Sequence, residues 1–186
     1  MTRIVHVSDI HFWRYPANPF HLLNKRIVGV GALAMGRASR FRLERVASLV
    51  ERVTRLEPDH ILITGDLTTT ALDIEYAEAR RALADWLQPG KVTVIPGNHD
   101  RYTGESLRGR RFERYFAEFA PEDAYPWMRW IDDRTAILAL VTTRPALTAR
   151  GSLPERQLQE AKEILDSSAN RPERLVVACH YPVDAP

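Results

Sequence analysis

A chain of 186 residues is long enough for one domain, residues 1–186, that buries roughly 70% of its unfolded surface around a continuous core. Its 26 Lys and Arg against 24 Asp and Glu leave a net charge of +2, so no large field argues for nucleic acid or a membrane as the main partner. A single cysteine, Cys179, rules out an intramolecular disulfide and fits a reducing compartment. The opening run Met1 to Asp9 enters a strand pattern without signal-peptide architecture, which makes a cytoplasmic location the default expectation.

Taken in chain order, Arg3 to Ser8 reads as a first strand and ends on Asp9-Ile10-His11, with Trp13 and Tyr15 just beyond. Asn24 to Arg42 is small-residue-rich and apolar in the middle with basic flanks. It is too short to span a bilayer, and a packed helix or a flap over a site is preferred to an interfacial membrane contact. Phe41 to Leu56 has apolar residues at helical spacing and stops before Pro58. His60 to Thr64 is a second strand, followed by Gly65-Asp66. Ile74 to Leu87 is a helix that Asp73 could cap, and Lys91 to Ile95 is a third strand, followed by Gly97-Asn98-His99-Asp100.

Phe112, Tyr115, Phe116 and Phe119 mark a further helix before Pro121, and Ala136 to Val141 is another strand. Ser152-Leu153-Pro154-Glu155 resembles a capping box opening a helix through Leu165. Leu175 to Ala178 is a last strand that ends on Cys179-His180. The alternation predicts an α/β fold with partly parallel pairing, and the apolar strands predict cover on both faces.

Four strands thus end on carboxylates, imidazoles and an amide, where open α/β sheets gather their ligands. Asp, His and Asn together suit divalent ions of borderline hardness, and a carboxylate such as Asp66 could bridge two of them. Each segment alone is ordinary turn or cap chemistry; their joint occurrence is not. Within Asn98-His99-Asp100, the amide oxygen can bind a metal without adding charge, the imidazole can donate a proton near neutral pH, and the carboxylate can orient it. Cys179 reads as a small buried hydrophobe.

In this order the segments resemble the calcineurin-like metallophosphoesterase superfamily, whose blocks are D-x-H, G-D, G-N-H-D/E, a later H and a terminal G-H-x-H. The resemblance implies a four-layer α/β sandwich of two mixed sheets flanked by helices, and two divalent ions, Mn, Fe, Zn or Co. By the family pattern Asp9 and His11 would bind the first ion, Asp66 would bridge both, and Asn98 and His180 would bind the second. The ions would activate a bridging hydroxide and neutralise phosphate oxygens. His99 would act near the phosphorus as acid or stabiliser, with Asp100 orienting it.

Within the superfamily, Gly65-Asp66-Leu67-Thr68 with Gly97-Asn98-His99-Asp100 is most similar to the bacterial cyclic-nucleotide phosphodiesterase branch. Purple acid phosphatases carry a tyrosine where Thr69 stands, and the Asp-Arg-Gly of the Ser/Thr phosphatases is absent. A small phosphodiester is therefore the expected substrate. The alternatives are a membrane-associated lipid pyrophosphatase or phosphodiesterase, with residues 24–42 facing the membrane, and a non-catalytic binding module on the same fold.

No two of the six histidines are separated by a single residue, so the G-H-x-H block is missing from this sequence. The domain is accordingly expected to be C-terminally incomplete, with weakened metal affinity, low or absent activity, and exposed apolar surface or an open strand edge. A homodimer could cover that surface.

Overall fold

Parallel pairing of the first three apolar runs sets the frame. A computed structural model describes residues 2–122, 124–144, 150–167 and 171–181. In it β1 (Ile4–Val7), β2 (His60–Ile63) and β3 (Val92–Val94) form a parallel sheet in that order. A second sheet pairs β4 (Trp127–Asp132) antiparallel with β5 (Thr135–Ala139), and β5 parallel with β6 (Arg174–Ala178). The helices between are α1 (Arg26–Ala34), α2 (Val46–Thr54), α3 (Asp73–Ala82), α4 (Gly104–Arg108), α5 (Arg111–Phe116) and α6 (Glu155–Ser167).

Alternation along each strand assigns the apolar side chains to layers. Val5, Val7, Ile61, Ile63, Val92 and Val94 pack on one side with Val46, Val50 and Val53 of α2, Tyr76 and Ala79 of α3, and Phe112 and Phe116 of α5. Ile4, Leu62 and Ile95 point the other way and meet Trp127, Ile137, Ala139 and Val176 of the second sheet. On the outer face of that sheet, Leu138 and Leu140 pack with Ala161 and Leu165 of α6. The order is helices, sheet, sheet, helix, the four-layer plan that the resemblance implied. Both faces of the first sheet are covered, which is why its strands read as continuous apolar runs rather than alternating ones.

Local departures from the sequence reading have physical causes. Phe41 to Leu56 splits into a 3-10 turn at Leu43–Arg45 and the α-helix α2. The start of α3 is held by Glu75 rather than capped by Asp73. The Glu75 carboxylate accepts from the N–H groups of Thr70 and Leu72, and Asp73 instead pairs with Arg111 and Arg114. Ser152 does not open α6 with a side-chain cap; its backbone N–H donates to Thr142, and the Pro154 carbonyl accepts from Gln157 and Leu158. On β6, Leu175 and Val177 remain exposed.

The segment 24–42 contains α1, docked by an inverted amphipathic plan. Arg26, 1% exposed, faces inward: it donates to the carbonyls of Thr70 and Ala71 and pairs with Glu105 at 2.8 Å. One turn on, a side chain at Gly29 would stand 2.9 Å from both Thr70 Cγ2 and Tyr102 Oη, so glycine permits the close approach. Among the described residues no helix is long and apolar enough to cross a membrane.

Candidate metal centre

The loops that follow β1, β2 and β3 are stitched together before any side chain is considered. Asp9 N–H donates to the Gly65 carbonyl, His11 N–H to Asp66, and Phe12 N–H to Leu67. Asp9, His11 and Asp66 hold φ of 58°, 56° and 53°, the left-handed region that non-glycine residues rarely enter. Such backbone persists where surrounding contacts over-determine it, and clusters at functional sites.

Gly65 and Gly97 allow the β2 and β3 loops to touch. A Cβ on Gly65 would fall 2.0 Å from Gly97 N, and one on Gly97 would fall 2.1 Å from Asp66 Oδ1. Asp100 fastens the same junction from beneath. Its buried carboxylate accepts from the N–H groups of Gly97 at 2.9 Å and Thr68 at 2.8 Å, and from the Thr68 hydroxyl at 3.0 Å.

Asp66, 3% exposed, lies at the centre. His11 Nε2 stands 3.6 Å from one of its oxygens and 3.8 Å from Asp9, while His180 Nε2 stands 3.6 Å from its other oxygen. Two sets of three donors gather here, His11 with Asp66 and His99, and Asp9 with Asp66 and His180, each within 4.8 Å of one another. Asp9 lies within reach of both imidazoles, 3.8 Å from His11 and grouped with His180, and His99 stands beside His11, their rings 4.9 Å apart edge to face.

The tautomers can be read from the carbonyls. His180 Nδ1 lies 2.8 Å from the Thr64 carbonyl oxygen, which only accepts, so Nδ1 carries the proton. In the neutral ring Nε2 is then a lone pair, and it faces Asn98 Oδ1 at 3.1 Å and Asp66 Oδ1 at 3.6 Å. Lone pairs crowded at this separation are satisfied by a cation, and donors roughly 2 Å from a shared ion lie roughly 3–4 Å from each other. His11 Nδ1 is buried with no hydrogen-bond partner. The donor set therefore fits divalent metal, with the Asp66 carboxylate between the His11 and His180 imidazoles.

His99 is oriented by Thr69 rather than by direct contact with Asp100. Its Nδ1 donates to the Thr69 carbonyl at 2.6 Å, and Tyr102 stacks on the ring at 5.2 Å. Asp100, expected to orient His99 directly, acts through the backbone it clamps. That role was not legible because its partners at residues 67 and 68 are remote in sequence. Thr69 was missed because a carbonyl oxygen carries no side-chain signal, and Tyr102 because a tyrosine three residues past His99 does not by itself show that its ring stacks on the imidazole.

Burial, with His99 nearby, lowers the His11 pKa to about 4, so the ring is neutral and able to ligate at pH 7. Burial followed by the charges of Asp100 and Asp9 raises Asp66 to about 8, against the opposing hydrogen bond from the His99 N–H. Without a cation this carboxyl is protonated at neutral pH. A divalent ion must displace that proton, whereas His11 has none to release. Metal affinity should therefore rise about ten-fold per pH unit below pH 8 and level off above it. Calorimetric titration with Mn²⁺ in buffers of different ionisation enthalpy reads both the affinity and the released proton; a pH-independent affinity would contradict the assignment.

No curated protein matches this chain. The sequence model of the calcineurin-like phosphoesterase family matches residues 2–184, which includes every strand end at this site. The chain belongs to the calcineurin-like phosphoesterase family.

Proposed function

We propose that the chain hydrolyses phosphodiester bonds at a dinuclear centre in which Asp66 is the shared ligand. Asp9, His11, Asn98 and His180 complete the two shells, and His99 protonates the leaving group. The observation that carries this reading is the membership of Asp66 in both donor sets. Mn, Fe, Zn and Co all suit mixed His, Asp and Asn donors. When bound, the ions would activate the attacking water and neutralise charge on the phosphate oxygens.

The chain's own part is to hold donors and move one proton. Thr64 fixes the His180 tautomer, and burial keeps His11 neutral. Asp100 acts as a positioning residue that joins the loops carrying Asp66 and His99. In the resting site burial lowers the His99 pKa. A phosphate anion beside the ring would raise its proton affinity and so favour the charged form that can protonate the departing alkoxide. Trp13 and Tyr15, their rings 5.6 Å apart edge to face, offer a wall on which a base could stack. That favours cyclic nucleotides among the soluble diesters, and the lone thiol Cys179 fits a cytoplasmic setting.

The test compares hydrolysis of bis-p-nitrophenyl phosphate, p-nitrophenyl phosphate and cyclic AMP with and without Mn²⁺, in wild type and His99→Ala. Metal-dependent turnover with preference for the diesters is expected. His99→Ala should lower kcat by about 10²–10⁴-fold with metal content unchanged. Loss of one ion from the variant would instead make His99 a ligand, and unaltered turnover would remove it from the chemistry.

A further inference from the structure

The face of α1 opposite Arg26, Gly29 and Leu33 is apolar and points outward. Ile27 and Val28 are each 60% exposed and Met35 is 85% exposed, and they continue into Leu23 at 80% and Phe20 at 73%. These residues follow one another from the 3-10 turn Pro19–Leu22 through α1, unlike the single exposed hydrophobes scattered over any surface. The helix cannot roll to bury these residues, because its other face is fixed by the Arg26 hydrogen bonds and the Gly29 contact.

Charge identifies what such a face would meet. Between Ile10 and Leu43 the sequence contains six Lys and Arg and no Asp or Glu, while the whole chain has a net charge of only +2. Arg14 and Arg26 are held by Glu78 and Glu105. Arg37, Arg40 and Arg42, just beyond the apolar face, are exposed. Apolar side chains bordered by arginines are the composition of an interfacial helix on an anionic bilayer, where apolar burial and attraction to lipid charge act together.

The element also borders the metal centre. Phe41 packs on the His11 ring at a centroid distance of 4.5 Å, and Gly29 lies against Tyr102, whose ring stacks on His99. We infer that residues 20–42 dock the protein on an anionic phospholipid surface, which would hold the metal centre beside the bilayer. The docking stands independently of the hydrolytic reading above.

The experiment is flotation of the full chain, without added metal, on vesicles of phosphatidylcholine alone or mixed with phosphatidylglycerol. The protein should float with the mixed vesicles and not with phosphatidylcholine alone. Ile27→Asp combined with Val28→Asp should abolish flotation, and Arg40→Glu should weaken it at least about five-fold. Circular dichroism and turnover of bis-p-nitrophenyl phosphate should be unchanged in both variants, since neither touches the buried face. Absence of flotation, or flotation unaffected by either change, overturns the inference. So does a dimer in sedimentation that the Ile27 and Val28 changes dissociate in the absence of vesicle binding, which would make a second copy the occupant. Failure of diester turnover with flotation intact would instead overturn the hydrolytic reading and leave the docking standing.

Discussion

Asp66→Asn is expected to lower metal-dependent turnover on the order of 10³-fold or more, equivalent to at least about 4 kcal/mol, while leaving the metal-free fold intact. The two halves of that prediction have one cause. Burial and the charges of Asp100 and Asp9 already hold Asp66 protonated below about pH 8, so a neutral amide of the same shape replaces a neutral acid. Its side-chain oxygen can still accept the His99 N–H at 2.8 Å. What is lost is the negative charge shared by two donor sets. Thermal denaturation with EDTA should therefore show the variant as stable as wild type only near the ordinary carboxylate range, where the unfolded wild-type Asp66 is protonated too. From there up to about pH 8 the variant should become progressively the more stable, because folding the wild type must take up a proton that its unfolded carboxylate has lost, and the margin should level off above pH 8. A variant that unfolds in EDTA would make Asp66 a structural residue.

Gly97→Ala should fail in the opposite way, losing stability and site together. Its Cβ would lie 2.1 Å from Asp66 Oδ1 and 2.2 Å from Asp66 N, and neither neighbour is a free side-chain end. The β3 loop would have to move away from the β2 loop, breaking the Gly97 N–H bond to Asp100. Overpacking of this kind costs about 1–3 kcal/mol. The displaced Asp66 should take metal binding with it, so the variant is expected to melt earlier in EDTA and gain no protection from Mn²⁺. Retention of wild-type metal affinity would show that the loop approach is not what shapes the centre.

The frame of the fold was legible because doubly covered strands leave an unmistakable run of Val, Ile and Leu, as in Ile61-Leu62-Ile63 and Val92-Thr93-Val94. The strand β4 was not. Trp127-Met128-Arg129-Trp130-Ile131-Asp132 mixes aromatic, basic and acidic residues, with Trp127 buried between the sheets and Arg129 donating to the Val92 carbonyl. The five-residue α4 is too short to show a period, although its Thr103 and Ser106 cap each other reciprocally.

At the site, residue types at strand ends indicated which side chains would converge on Asp66. The backbone that aims them was hidden, since Asp9, His11 and Asp66 all sit in the left-handed region although none is glycine. Arg26 was the least readable residue. A basic side chain in a small-residue helix looks like a solvated flank, and its burial depends on Thr70, Ala71 and Glu105 far along the chain.

The central claim is that Asp66 joins two metal sites into one hydrolytic centre. Its most direct test is stepwise addition of Mn²⁺ to the metal-free chain, with bound metal and bis-p-nitrophenyl phosphate turnover measured in the same samples. Turnover should appear with metal and level off as the two donor sets fill, and both signals should vanish together in Asp66→Asn. Turnover that persists in excess EDTA, or metal binding that survives Asp66→Asn unchanged, would contradict it.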